Sequence, residues 1–188
     1  IANRLGIEVV ESAAGRANQM NAGARAARGE YLLFLHADTL LPESYDDTVR
    51  HILSEPKTVA GAFRLKLDRR SPGLLLVETF ANLRSQWFQM PYGDQAIFVR
   101  NDLFRLVGGY AELPIMEDYE LVSRLKGKGQ VVTAPTSVVT SARRWNDIGI
   151  LRTTLNNQMI IIAYHLGCSP STIARLNRRK PKPAYGKH

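Results

Sequence analysis

The sequence predicts an α/β domain, and three observations predict it. A β-type run at residues 7–10, a helical pattern and a continuous apolar run at residues 31–35 follow one another as strand, helix, strand. Strand and helix patterns then keep alternating as far as Val139. The 188 residues, 45% hydrophobic and 22% charged, suit one domain that buries a core.

The first unit reads as βαβ, which implies a parallel strand pair and a ligand crevice at the carboxyl ends of the strands. Its helix has a face of Ala17, Met20, Ala24 and Ala27, with Gly29 as the closing glycine. Residues 31–35 are apolar throughout, as expected of a strand covered on both faces. Pro42 at a first helical position, followed by Glu43, Asp46 and Asp47, predicts a helix ending near Ser54. A strand follows at 59–68, and Ser71-Pro72 opens a helix through Leu76, Phe80 and Leu83. Residues 95–99 read as a strand, residues 101–107 as a short helix closed by Gly108-Gly109, residues 117–126 as a helix and residues 131–139 as the last strand. One long helix is expected over 148–166, with Ile148, Leu151, Leu155, Met159, Ile162 and Leu166 as a stripe that such helices more often set in the core, the alternatives being a cover over the active site or a face on a bilayer. Ser169-Pro170 starts a final short helix before a basic tail.

Composition narrows the function classes. A single cysteine, Cys168, offers neither a disulfide nor zinc spacing, so a reducing, cytoplasmic setting is expected. No run reaches the roughly 18 apolar residues of a membrane span, and no secretory leader opens the sequence. With 25 Lys+Arg against 17 Asp+Glu the net charge is +8, which favours an anionic partner: nucleotide phosphates, a phospholipid surface or nucleic acid. The cations are dispersed and no nucleic-acid module is recognisable, which argues against the last.

Several stretches carry chemistry. The strand at 31–35 runs into His36-Ala37-Asp38, placing a carboxylate at its carboxyl end. Such a group either holds Mg2+ or Mn2+ together with substrate phosphates, or caps the helix that follows. Glu117-Asp118 at a helix start are either dipole partners or reactive acids. Gly15-Arg16 opens a helix, where either N–H groups and a guanidinium favour phosphate or Arg16 is a solvated surface charge. Arg143-Arg144 beside Trp145 form either a diphosphate clamp with a stacking ring or a solvated basic corner, and Gly93-Asp94 either a turn or part of the site.

Together these stretches resemble the family 2 glycosyltransferases, whose GT-A fold is a Rossmann-like mixed sheet flanked by helices. HADTLLP, from His36, is similar to the family's Asp-x-Asp region with His36 in the first aspartate's place. The resemblance implies a metal on Asp38 and His36, or a metal on Asp38 with His36 on the nucleotide. The segment 102–125 is similar to the one in which a GGY or GGF turn precedes Glu-Asp. By that likeness Asp118 is the base on the acceptor hydroxyl, and Glu117 orients it or touches the acceptor. The segment 15–23 resembles the family's nucleotide-side helix, implicating Arg16 and Asn21. Arg143 and Arg144 lie where the family contacts diphosphate; Asp94, Gln95 and Trp145 lie where it contacts the acceptor.

The order of features from about Gly15 to Gly167 is similar to a bacterial subgroup often found beside radical-SAM proteins. The resemblance implies a metal-dependent, inverting transfer from a nucleotide-sugar donor to a hydroxyl acceptor, lipid or saccharide. The family's opening strand, similar to SVIIPxxNE, is not found here. A catalytic domain lacking its first strands is therefore expected over 1–146, its open edge suited to pairing with another copy. A C-terminal helical extension is expected over 147–178 and a mobile basic tail over 179–188. Arg178, Arg179, Lys180 and Lys182 would let the last helices lie on a membrane surface. The other reading is a non-catalytic nucleotide- or anion-binding domain of the same fold, consistent with His36 and the missing strands.

Overall fold

The computed structural model describes residues 6–177. The chain runs α1 (Arg16–Ala26), β1 (Tyr31–Leu33), β2 (Thr39–Leu40), α2 (Tyr45–Ser54), β3 (Thr58–Leu67), α3 (Pro72–Phe88), a 3-10 turn (Gly93–Gln95), β4 (Phe98–Arg100), α4 (Asn101–Leu106), α5 (Glu117–Lys126), β5 (Gln130–Thr140), α6 (Arg143–Ile148), α7 (Ile150–His165) and α8 (Pro170–Asn177).

The five strands form one mixed sheet in the order β1-β4-β3-β5-β2. Its centre is the parallel pair β3/β5; β1/β4, β3/β4 and β2/β5 are antiparallel. Alternation along the strands supplies two buried faces. Ala60, Ala62, Ile97 and Val99 pack towards Ala17 and Ala24 of α1 and Leu121 and Leu125 of α5. Phe63, Phe98, Ala134 and Val138 pack towards Val49, Ile52 and Leu53 of α2. The result is a sheet between helical layers, with α3 and Trp145 closing one end around Leu67 and Leu74.

Local chemistry explains the elements that match expectation. Ser71 caps α3 by accepting from the Leu74 N–H at 3.3 Å, with Pro72 as the first helical residue. α5 starts with Glu117, Asp118 and Glu120 and ends with Arg124 and Lys126, both suited to the helix dipole.

Five expectations are corrected. Residues 7–10 form no strand, and Ile7, Val9 and Val10 are exposed, because no strand among the described residues supplies ladder bonds to them. The predicted parallel pair is therefore not made; β1 is an edge strand paired antiparallel to β4. Gly29 does not cap α1, which ends on an extended Ala27. The helix after Pro42 begins at Tyr45, because Ser44 adopts a left-handed conformation (φ 52°, ψ 35°) just before it. Gln95 lies in the 3-10 turn rather than in β4.

The long C-terminal helix is α7, which starts after Gly149 (φ 94°) and is preceded by the short α6 that the sequence did not announce. The stripe expected in the core faces outward: Leu151, Leu155, Met159, Ile162 and Leu166 are all exposed. The buried side of α7 carries Thr153 and Ile160 instead, the latter meeting Met116 and Ile173. The side chains of Arg144 and Ile148, and residues 178–188 with the basic tail, lie outside the described residues.

Candidate active site

The carboxyl end of β1 leads to His36 and Asp38. Phe34 N–H donates to Ile97 O (2.8 Å), Thr39 N–H to His36 O (3.1 Å), and the Thr39 and Thr140 hydroxyls meet at 2.8 Å, so the loop is pinned at both ends. Asp38 stays half exposed, with Arg143 Nη2 at 4.0 Å from its Oδ2. At this exposure the pair contributes less than about 1 kcal/mol and serves mainly to collect opposite charges at one rim.

The second arm is the start of α5. Met116 precedes it at φ 70°, a left-handed conformation that costs a side-chain-bearing residue about 1–3 kcal/mol. Burial of its side chain against Ile160 and Ile173 holds it there. Asp118 Oδ2 accepts from Gly93 N–H at 2.7 Å, and its Oδ1 from Tyr119 N–H at 2.8 Å. A Cβ on Gly93 would lie 2.9 Å from His36 Nε2 and 3.2 Å from Asp118 Oδ2. The imidazole, the 3-10 turn and the carboxylate therefore converge, and a side chain on residue 93 would press on the imidazole.

Two further acids are held in unfavourable surroundings. Glu117 is 3% exposed. Its Oε1 lies 2.8 Å from Arg16 Nε as an ion pair, yet without hydrogen-bond alignment. Burial, then the charge of Asp118, raise its pKa against the pull of Arg16. Asp94 has a buried Oδ1 with no hydrogen-bond partner. Burial pushes its pKa up, Asp118 adds to this, and Arg84 and His36 oppose it. Perturbed acids gathered at one cleft are a mark of a functional site.

The cleft between these arms has a volume of about 440 Å³ and is lined by Arg16, His36, Asp38, Asp94, Glu117, Asp118 and Trp145, among others. Trp145 is a wall whose other side packs on Leu67 and Leu74. A hollow of about 460 Å³ lies on the far side of Tyr92 and Tyr119, with Arg84, Phe88 and Lys126 in its lining.

Two expected ligand contacts are placed elsewhere. Asn21 clamps the turn after α4, donating to Tyr110 O (2.8 Å) and accepting from Tyr110 N–H (2.9 Å). Gln95 is fully buried, donating to Phe63 O (3.0 Å) and accepting from Arg84 (3.2 Å) and Tyr92 N–H (3.3 Å). Both amides are spent on the protein and position loops.

The sequence patterns did not single out Arg84, Tyr119 or Ile161. Arg84 lies over the Tyr92 ring at 3.3 Å and donates to Met90 O, fixing the loop that carries Asp94. Its only sequence signal is that it is the one cation of α3.

A hard divalent cation takes one or two protein carboxylates and completes its shell with phosphate and water. Asp38, half exposed at the cleft rim, fits that mode. Among the described residues no group of three or more His, Cys, Asp or Glu side chains forms a protein-only cage.

A family model described as glycosyl transferase family 2 matches residues 1–98. No curated protein matches the chain. Among solved structures, the mannosyltransferase PcManGT from Pyrobaculum calidifontis, in complex with GDP-Man and Mn2+, is similar with a TM-score of 0.51 and 18% identity. The alignment covers 90% of this chain and 46% of that one, so the chain spans about half the length of this solved relative. At that identity the likeness concerns the fold, and it bears out the GT-A architecture implied by the sequence.

Proposed function

The chain belongs to glycosyl transferase family 2, and from that premise we propose that it moves a sugar from a nucleotide-diphosphate donor to a hydroxyl acceptor in the cleft between β1 and α5. The observation that carries the proposal is the meeting of His36, Gly93 and Asp118 beside Asp38, since it sets a carboxylate next to a cation-collecting rim.

In this reading the donor's diphosphate lies at that rim, where Arg143, Arg16 and the start of α1 favour anions. Mn2+ or Mg2+ held by Asp38 would neutralise charge on the departing diphosphate. The resemblance of solved fold to a protein that binds GDP-Man and Mn2+ supports both donor class and metal. His36 Nε2 lies beside Gly93 and the Asp118 side, which favours a contact to donor or acceptor over the ligand role.

Asp118 acts as the base. The acceptor oxygen attacks the anomeric carbon while its proton passes to an Asp118 oxygen. The bond from the anomeric carbon to the diphosphate oxygen breaks, and the diphosphate leaves with the electron pair; attack from the opposite face inverts the centre. The two N–H donors from Gly93 and Tyr119 fix the carboxylate without exhausting its lone pairs. Asp94 lines the same cleft and binds an acceptor hydroxyl there.

The test is release of nucleoside diphosphate from UDP- and GDP-sugars, with Mn2+ and panels of lipid and saccharide acceptors. Asp118→Asn should lower turnover at least about 100-fold while donor affinity stays within a few-fold. Equal turnover by the variant would remove Asp118 from the chemistry.

A further inference from the structure

α3 and α7 lie side by side: a Cβ on Gly73 would meet Ile150, Val77 packs with Ile150, and Phe88 shares a hollow with Gln158 and Ile161. At 100° per residue, the α3 residues that touch α7 sit between its buried side (Leu74, Ala81, Ser85) and a row formed by Leu76, Phe80 and Trp87. On α7, Ile150 and Ile161 likewise sit between the buried Thr153 and Ile160 and a row formed by Leu151, Leu155 and Ile162. The two rows therefore flank the seam between the helices on its outer side.

All six of these side chains are at least half exposed, with Trp87 and Leu151 at 73%. Contiguous exposed apolar patches on this scale mark interaction sites. On the two helices themselves the exposed charge has one sign. α7 contains no Asp or Glu, and the one acid of α3, Glu78, is turned inward to accept from Leu67 N–H at 2.7 Å. Arg69, Arg70 and Arg152, all exposed, border the face.

We propose that this α3/α7 face docks on an anionic lipid bilayer. Apolar rows with a tryptophan enter the interface while the arginines meet headgroups. A second copy fits less well. A two-fold contact sets the same patch against itself and so would bring the arginine border against arginines. The docking also gives the cleft a substrate class. Phe88 joins the apolar face to the hollow behind Tyr92 and Tyr119, which borders the cleft, so a membrane-resident amphipathic acceptor reaches Asp118 from that side. This last step rests on the proposed transfer reaction; the docking does not.

The full chain is tested by sedimentation with vesicles of phosphatidylcholine alone and with 30% phosphatidylglycerol, the basic tail intact, alongside Phe80→Glu/Leu155→Glu. Sedimentation with anionic vesicles, reduced at least about tenfold in the variant and by 0.5 M salt, is the expected result. Circular dichroism and donor titration, unchanged in the variant, show that fold and cleft survive. Failure of the intact chain to sediment, or equal sedimentation of the variant, overturns the proposal. So does a dimer in analytical ultracentrifugation that the variant dissolves, which would give the face to a second copy. Vesicle binding without sugar transfer would leave the docking standing and remove the proposed reaction.

Discussion

Replacing Asp94 by Asn should stabilise the fold at neutral pH, and the gain should grow as pH rises. Asp94 Oδ1 is buried without a partner, and burial with the nearby Asp118 charge holds its folded pKa above the ordinary carboxylate value. The folded state thus binds this proton more tightly than the unfolded chain does. Between the unfolded pKa of about 3.9 and the raised folded value, wild-type stability falls with pH, by at most about 1.4 kcal/mol per unit, and stays at the lower level above. Asn carries no proton to lose and escapes that fall. An Asn amide leaves the same buried atom without a partner, so the gain near pH 7 comes from the proton alone, about 1.4 kcal/mol for each unit by which the folded pKa is raised. Urea unfolding of both proteins from pH 4 to pH 8 measures it, and Glu117, present in both, cancels to first order. A gap that does not change with pH, or an Asn variant less stable at pH 7, would refute the reasoning.

Asn21→Ala leaves both backbone groups of the buried Tyr110 unpaired and should cost about 2–3 kcal/mol in urea unfolding with donor affinity unchanged; unchanged stability with weakened donor binding would return Asn21 to the nucleotide. Gly61→Ala would set a Cβ 2.4 Å from the Phe98 ring and 2.9 Å from Val132 O, so a loss of about 1–3 kcal/mol and a lower Tm are expected. A Tm equal to that of the wild type would show that the β3/β4 contact yields more than its packing suggests. Gly93→Ala should push His36 and Asp118 apart, lowering turnover about 100-fold with donor affinity within a few-fold of wild type. Equal turnover would mean the triple contact does not position the base.

The central elements were legible because their signals are local. The acids at the start of α5 and the cations at its end mark its bounds, and Ser71-Pro72 marks the start of α3. Elements that depend on a distant partner were not. Residues 7–10 have strand composition but no neighbour to pair with among the described residues, and nothing near Ser44 in sequence announces its left-handed turn. On α7, three successive isoleucines, Ile160, Ile161 and Ile162, allow more than one apolar stripe. The position of Met116 across from Ile160 decides which side is buried.

The site divides in the same way. Asp38 and Asp118 could be read as candidates because each sits at the boundary of an element written in the sequence, Asp38 after β1 and Asp118 at the start of α5. That both share a cleft with Asp94 and His36 depends on contacts across the fold, such as Gly93 N–H to Asp118. Asn21 and Gln95 read as ligands because an amide in a motif looks the same whether it faces a nucleotide or a backbone. Their partners, Tyr110 and Phe63, are distant in sequence.

The most direct test of the donor site is calorimetric titration of UDP and GDP, each with and without Mn2+, into the intact chain and Asp38→Ala. Binding of one nucleotide that strengthens with Mn2+ and is lost in the variant is the predicted result. Binding by the variant equal to that of the intact chain, or no binding by either, would contradict a donor site at the end of β1.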